Sequence, residues 1–202
     1  MAKRPQKEDE LQRREAIGVI RASRFVRRYT HDHKPISIQT VCDIHKEIFN
    51  EAWPEIAGAY RDENLEITDS KHLPPHHSTV RKHMEKAGIE FAAKLKKLER
   101  MEGALFASYS ANEITLQGID DIVLAAAWIH HLITYIHPFR EGNGRTLRLF
   151  LDLLTVNIGF EGVDFKKISD EEFIDACRHG LVKDYQLMKG IYFKLLSKIT
   201  KK

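Results

Sequence analysis

IDDIVLAAAWIHHLITYI, residues 119–136, runs directly into His137-Pro-Phe-Arg-Glu-Gly-Asn-Gly-Arg-Thr-Leu-Arg148. In the first part Ile119, Ile122, Val123, Ile129, Leu132, Ile133 and Ile136 recur at helical spacing, so a helix with a broad apolar face is predicted. Pro138 cannot continue it, and His137 is left at the helix end. The two glycines around Asn143 allow a tight turn whose N–H groups converge into an anion cradle. That turn opens a second helix, predicted over 144–158. Its unpaired N–H groups and its dipole favour a phosphate at the N-terminus.

The two faces of this second helix separate by angle. At about 100° per residue, Arg148 falls about 60° from Arg145, whereas Leu147, Phe150, Leu151 and Leu154 fall on the opposite side. Two arginines beside a glycine-rich cradle suit a polyphosphate, because guanidinium forks bind phosphate oxygens bidentately. Glu141, at the mouth of the loop, is a candidate Mg²⁺ ligand. Mg²⁺ is usually held by one or two carboxylates together with phosphate oxygens. His137, at the loop entry, is a candidate general base.

Outward from this centre the pattern stays helical. Residues 8–30 and 37–51 read as amphipathic helices. Over 78–100, Val80, Met84, Ala87, Phe91, Leu95 and Leu98 form one apolar stripe. Residues 170–198 supply two or three more helices, the first capped by Ser169 with Glu172 at its third position and Ile168 and Phe173 as a hydrophobic staple. Tyr60 to Thr79 breaks the pattern with Pro74-Pro75 and the alternating piece Leu65-Glu-Ile-Thr68, which predicts a small β-hairpin flap. The fold class is therefore all-α, one domain over 1–202, with a core of about 37–195 and basic tails.

Composition bounds the function. With 43% hydrophobic and 30% charged residues the chain reads as a soluble globular protein. Its longest apolar run, Ile122 to Ile129, is too short to span a bilayer. The first residues lack the apolar core of a secretory signal. Cys42 and Cys177 show no pairing pattern, and a cytoplasmic location is expected. The first fourteen residues carry five Lys/Arg against three acids, and the last nine carry four lysines and no acid. The remainder is net acidic, which argues against a dedicated nucleic-acid surface and against a membrane one. The eleven histidines form no recognised zinc spacing, and neighbours such as His130 and His131 point about 100° apart on a helix.

The stretch 137–148 resembles the motif of the Fic family, His-x-Phe-x-(Asp/Glu)-Gly-Asn-Gly-Arg-x-x-Arg, and matches every specified position. Gly58-Ala-Tyr60-Arg61 and the Pro74-Pro75 region are similar to the family's flap. The resemblance implies a Fic-type helical bundle and a protein adenylyltransferase, moving AMP from ATP to a Tyr, Thr or Ser hydroxyl with release of pyrophosphate. It implies that His137 deprotonates the hydroxyl and that Phe139 anchors the loop. Glu141 would bind Mg²⁺. Asn143 and the backbone of Gly142 and Gly144 would hold the α- and β-phosphates, and Arg145 and Arg148 the β- and γ-phosphates. A target protein is expected to dock at the flap, Asp62 to Thr79.

Many members of this family are restrained by a glutamate in a Ser/Thr-x-x-x-Glu helix that pairs with the motif's second arginine, here Arg148. No glutamate of this chain has Ser or Thr four residues before it. Restraint is then expected from a separate small antitoxin-like protein, the alternatives being an unrestrained enzyme or another device. Two other functions compete with AMP transfer: transfer of another phosphate-containing group, and a non-enzymatic nucleotide-binding adaptor.

Overall fold

A computed structural model describes residues 7–67, 72–110, 116–157 and 160–198. Among them α1 (Glu8–His31), α2 (Gln39–Phe49), α3 (Val80–Ser110), α4 (Leu116–Ile136), α5 (Asn143–Asn157), α6 (Asp170–Leu181) and α7 (Gln186–Leu195) form an all-α bundle. A single small sheet accompanies it, made of β1 (Phe160–Val163) and β2 (Leu196–Lys198).

The bundle is built around α4. Ile122, Val123, Ala125, Ala126, Ala127, Ile129, Ile133 and Ile136 are all buried, which is more than one face of a helix. A helix apolar around most of its girth is covered on several sides, and α3, α5, α6 and α7 pack against it. On α5 the stripe Leu147, Phe150, Leu151 and Leu154 is buried as its angle predicts, with Phe91 of α3 meeting Phe150 at 5.6 Å between ring centres. Among the described residues no helix is long and apolar enough to cross a membrane.

The helices α1 and α2 lie against each other and against α5. Their approach is set by Gly18. A methyl group there would stand 1.9 Å from the carbonyl oxygen of Ile48, so the backbones meet where no side chain intervenes. Leu11, Ala22 and Val26 bury the rest of the same face. Of the N-terminal basic stretch, Arg13 and Arg14 thus lie in the first turns of a packed helix.

Two details depart from the periodicity. The chain was expected to stay helical to Lys198, but α7 stops at Leu195, and Leu196–Lys198 pairs antiparallel with Phe160–Val163. The Asp152 carboxylate accepts the N–H of Val163 at 3.1 Å and so ties this sheet to α5. Ser169 caps α6 by accepting the Glu172 N–H at 3.2 Å. The Glu172 carboxylate does not return to Ser169; it accepts from Lys194 at 2.6 Å, joining α6 to α7.

The flap keeps its expected place between α2 and α3. Along 61–67 exposure alternates as in an extended chain, with Asp62, Asn64 and Glu66 outward and Arg61, Glu63, Leu65 and Ile67 turned in. No strand pairing forms there among the described residues, and residues 68–71, which include the Thr68 end of the alternating piece, lie outside them. The return side ends in a 3-10 turn, His77–Thr79, leading into α3.

Gly18→Ala is expected to destabilise the fold by about 2 kcal/mol, despite alanine's better helix propensity, because two backbones must separate. Gly190→Ala on α7, whose methyl group would meet nothing within 4 Å, is expected to stabilise by up to about 1 kcal/mol. Urea unfolding of both variants checks the pair.

A candidate active site in the turn between the two central helices

The turn from α4 to α5 is locked by its own residues. The N–H of His137 donates to Ile133 O at 2.8 Å, and His137 then takes φ +48. This is the left-handed cap that ends many helices, usually filled by glycine. Phe139 follows, fully buried. The Asn143 side chain closes the loop, its Oδ1 accepting the Phe139 N–H at 2.9 Å and its Nδ2 donating to the Phe139 carbonyl at 2.7 Å. Gly142 has φ +74, and a methyl group there would lie 2.3 Å from the ring of Phe49. Glycine is required at that position for both reasons.

A residue that the periodicity did not single out holds this loop from below. His45 of α2 is fully buried and stacks on Phe139 at 3.9 Å with an interplanar angle of 11°. Gly58 N–H donates to His45 Nδ1 at 2.9 Å. The proton therefore sits on Nε2, which donates to the Glu141 carbonyl at 3.0 Å. Burial pushes the imidazole down to about 4. The one local signal was a histidine on the apolar face of α2, beside Ile44, Ile48 and Phe49. Arg61 of the flap, which also binds this turn, gave no signal beyond its place in the flap motif.

His137, Arg140, Glu141, Gly142, Asn143, Gly144, Arg145 and Arg148 line one cavity of about 290 Å³. Every site residue expected from the sequence is therefore in one place. The His137 ring is half-buried, with Nδ1 enclosed and lacking a hydrogen bond. Burial pushes its pKa below the usual histidine value, while the nearby Thr134 carbonyl pulls the other way. The ring is thus neutral at pH 7, the form a general base needs. A methyl group on Gly144 would meet nothing nearer than Arg148 Nη2 at 3.9 Å, so the space before the N-terminus of α5 is open. A wider hollow over α6 is lined by Glu171, Glu172 and Asp175 against one cation, Arg178, and is therefore net acidic.

The polar groups of the site differ from one another more than their spacing implied. Arg148 is exposed in the cavity wall. Arg145 is engaged: Nη1 donates to Glu15 of α1 at 2.6 Å and Nη2 to Glu141 at 3.0 Å, with the guanidinium over the Phe49 ring. Glu15 has Leu11 four residues before it and so lies outside the Ser/Thr-x-x-x-Glu pattern, and its contact is with Arg145 rather than Arg148. The same Glu141 Oε1 accepts the Gly142 N–H at 2.8 Å. The Asn143 side chain is spent on the loop, so towards a ligand this residue offers its backbone N–H. Among the described residues no group of three or more His, Cys, Asp or Glu is placed to hold a metal. A hard cation would take Glu141 together with phosphate oxygens of a ligand, a donor set that suits Mg²⁺.

The Fic/DOC family model matches residues 35–155. Protein adenylyltransferase Fic of Nematostella vectensis is 26% identical over 182 residues, which are 87% of this chain and 36% of that protein. Probable protein adenylyltransferase y4lH of Sinorhizobium fredii is 38% identical over 81 residues, 39% of this chain and 42% of that protein. The matched part is thus less than half the length of either relative. Among solved structures, the BepC effector protein of Bartonella tribocorum with bound AMPPNP superposes with a TM-score of 0.67 at 19% identity, covering 97% of this chain and 90% of that one. That likeness shows a shared fold.

The two glycines are expected to respond in opposite ways. Gly142→Ala should lower the unfolding temperature by several degrees through its clash with Phe49. Gly144→Ala should fold as well as the parent yet bind ATP at least about tenfold more weakly, since its methyl group enters the open phosphate space. Thermal unfolding and calorimetric ATP titration check both.

Acid stability follows from His45. An unfolded imidazole titrates near 6.5 and the folded one at about 4, so between these values the unfolded chain holds the extra proton. Stability is full above pH 6.5 and is lost as pH falls towards 4, at about 1.4 kcal/mol per pH unit for this group. His45→Gln is expected to flatten the slope by about that amount. His130, hydrogen-bonded to Tyr192 and held down to about 3, leaves a residual slope. Urea unfolding between pH 4.5 and 7 measures it.

Proposed function

Because the chain belongs to the Fic/DOC family, we propose that it is a protein adenylyltransferase, moving AMP from ATP to a Tyr, Thr or Ser hydroxyl of a target protein. The observation that carries this reading is the pairing of a neutral His137 with an open, cationic helix N-terminus across one small cavity. The triphosphate lies before α5, on the N–H groups of Asn143, Gly144 and Arg145, with Arg148 on its outer phosphate. Arg145 joins it by exchanging one of its two carboxylate partners.

In the reaction His137 takes the proton of the target hydroxyl through its accessible nitrogen. The oxygen forms a bond to the α-phosphorus, the bond from that phosphorus to the bridging β-oxygen breaks, and pyrophosphate leaves. The α5 N-terminus and the arginines neutralise the charge that develops. Glu141 together with phosphate oxygens would hold a Mg²⁺, which would supply further charge neutralisation.

The target docks along the flap. The extended segment 62–67, which forms no strand pair among the described residues, can take up a peptide by main-chain pairing, which tolerates varied side chains. The free thiols Cys42 and Cys177 suit the reducing cytoplasm, where ATP is available. A separate small protein remains the proposed source of restraint.

Parallel incubation of a lysate with α-labelled and γ-labelled ATP and Mg²⁺ tests the reading. Label from the α-position alone is expected on a protein target. His137→Ala should lose at least about 100-fold in labelling with ATP affinity kept, and Ile67→Pro should lose labelling far more than ATP binding. Label from the γ-position would instead mean phosphate transfer, and ATP binding without any label would mean an adaptor.

A further inference from the structure

Arg61 sits where the flap leaves the body of the protein and is 4% exposed. Burial lowers its guanidinium pKa, and among the described residues no carboxylate pairs with it. A buried cation without a counter-ion costs several kcal/mol. Its donors go instead to main-chain carbonyls: Nε to His137 O at 2.8 Å, Nη1 to Glu63 O at 2.8 Å, and Nη2 to Pro75 O at 2.5 Å and Ile136 O at 3.5 Å. The backbone N–H of Arg61 adds a bond to Pro138 O at 2.9 Å.

Three of these acceptors are the carbonyls of Ile136, the last residue of α4, and of His137 and Pro138, which follow it. They have no further helical turn to bond, and they lie at the negative end of the helix dipole. That field offsets the missing counter-ion. The same three residues form the turn in which His137 holds φ +48, a conformation that costs a non-glycine residue on the order of 1 kcal/mol. The two remaining acceptors, Glu63 and Pro75, lie on the two sides of the flap.

We propose that Arg61 is a positioning residue for His137. By clamping the strained turn from outside it presents the imidazole to the cavity, and it ties both sides of the flap to that same turn. This rests on the reading of His137 as the base. Lysine cannot replace it, because one ammonium cannot reach four carbonyls spread over a planar fork.

The test uses Arg61→Lys and Arg61→Met in the full chain, with wild type beside them. Both variants are expected to bind ATP within about threefold of wild type and to lose at least about 30-fold in kcat, with a smaller change in the KM for the target. The acid limb of the kcat profile is expected to move to higher pH in Arg61→Met, since the Arg61 charge and the enclosed ring both hold His137 down. A folded variant with unchanged kcat and an unchanged acid limb would overturn the proposal. Failure of both variants to fold would overturn it too, making Arg61 a structural residue. If wild type transfers nothing from ATP, the reaction is wrong while Arg61 can still be judged by diethyl pyrocarbonate modification read by mass spectrometry. Several-fold faster modification of His137, with His45 and His130 unchanged, then supports the positioning role, and an unchanged rate at His137 overturns it.

Discussion

The amide of Asn143 closes a ring with both backbone groups of Phe139, and most of the site depends on that closure. Without it, the six residues between α4 and α5 would be a loop free to sample many shapes, at a cost of about 1–2 kcal/mol of ordering entropy for each residue fixed. With it, Phe139 is driven into the core against His45, and Gly142 turns under Phe49. The free N–H groups of α5 then face the same opening as His137. Asparagine suits the task because it alone combines a short reach with a donor and an acceptor on one planar group.

Electrostatics divides the surroundings into two zones. Beneath the loop everything is neutral or carbonyl-paired: His45 carries one proton between Gly58 and Glu141, and Arg61 meets backbone oxygens only. At the rim the charges are formal and exchangeable, with Arg140 on Glu63, Arg145 on Glu15 and Glu141, and Arg148 open. A polyanion entering the cavity thus meets cations whose partners can be given up, above a floor whose hydrogen bonds stay fixed. Such a division suits phosphoryl chemistry, where positioning and charge neutralisation supply most of the rate.

Much of this was legible beforehand. The helices follow from apolar spacing that is local and strong, so α3, α4 and α5 appear with the expected inner faces wherever their side chains are described, Leu98 and Ile119 lying outside those. The cradle follows from Gly142, Asn143 and Gly144 because glycine and a helix start have the same meaning in any fold. The small sheet was not legible, since pairing of Leu196–Lys198 with Phe160–Val163 depends on chain segments that meet only after the bundle forms. Nor was the occupied state of Arg145, whose partner Glu15 lies 130 residues away in sequence.

By itself, then, the sequence determined the bundle and the position of the glycine-rich turn that carries His137, because each of these rests on contacts within a few residues. Tertiary structure decided the rest: which arginine is open, which histidine supports the loop, and what holds His137 in its left-handed turn. Those outcomes depend on His45, Glu15 and Arg61, side chains distant in sequence that gain their roles only when burial removes water as the competing partner.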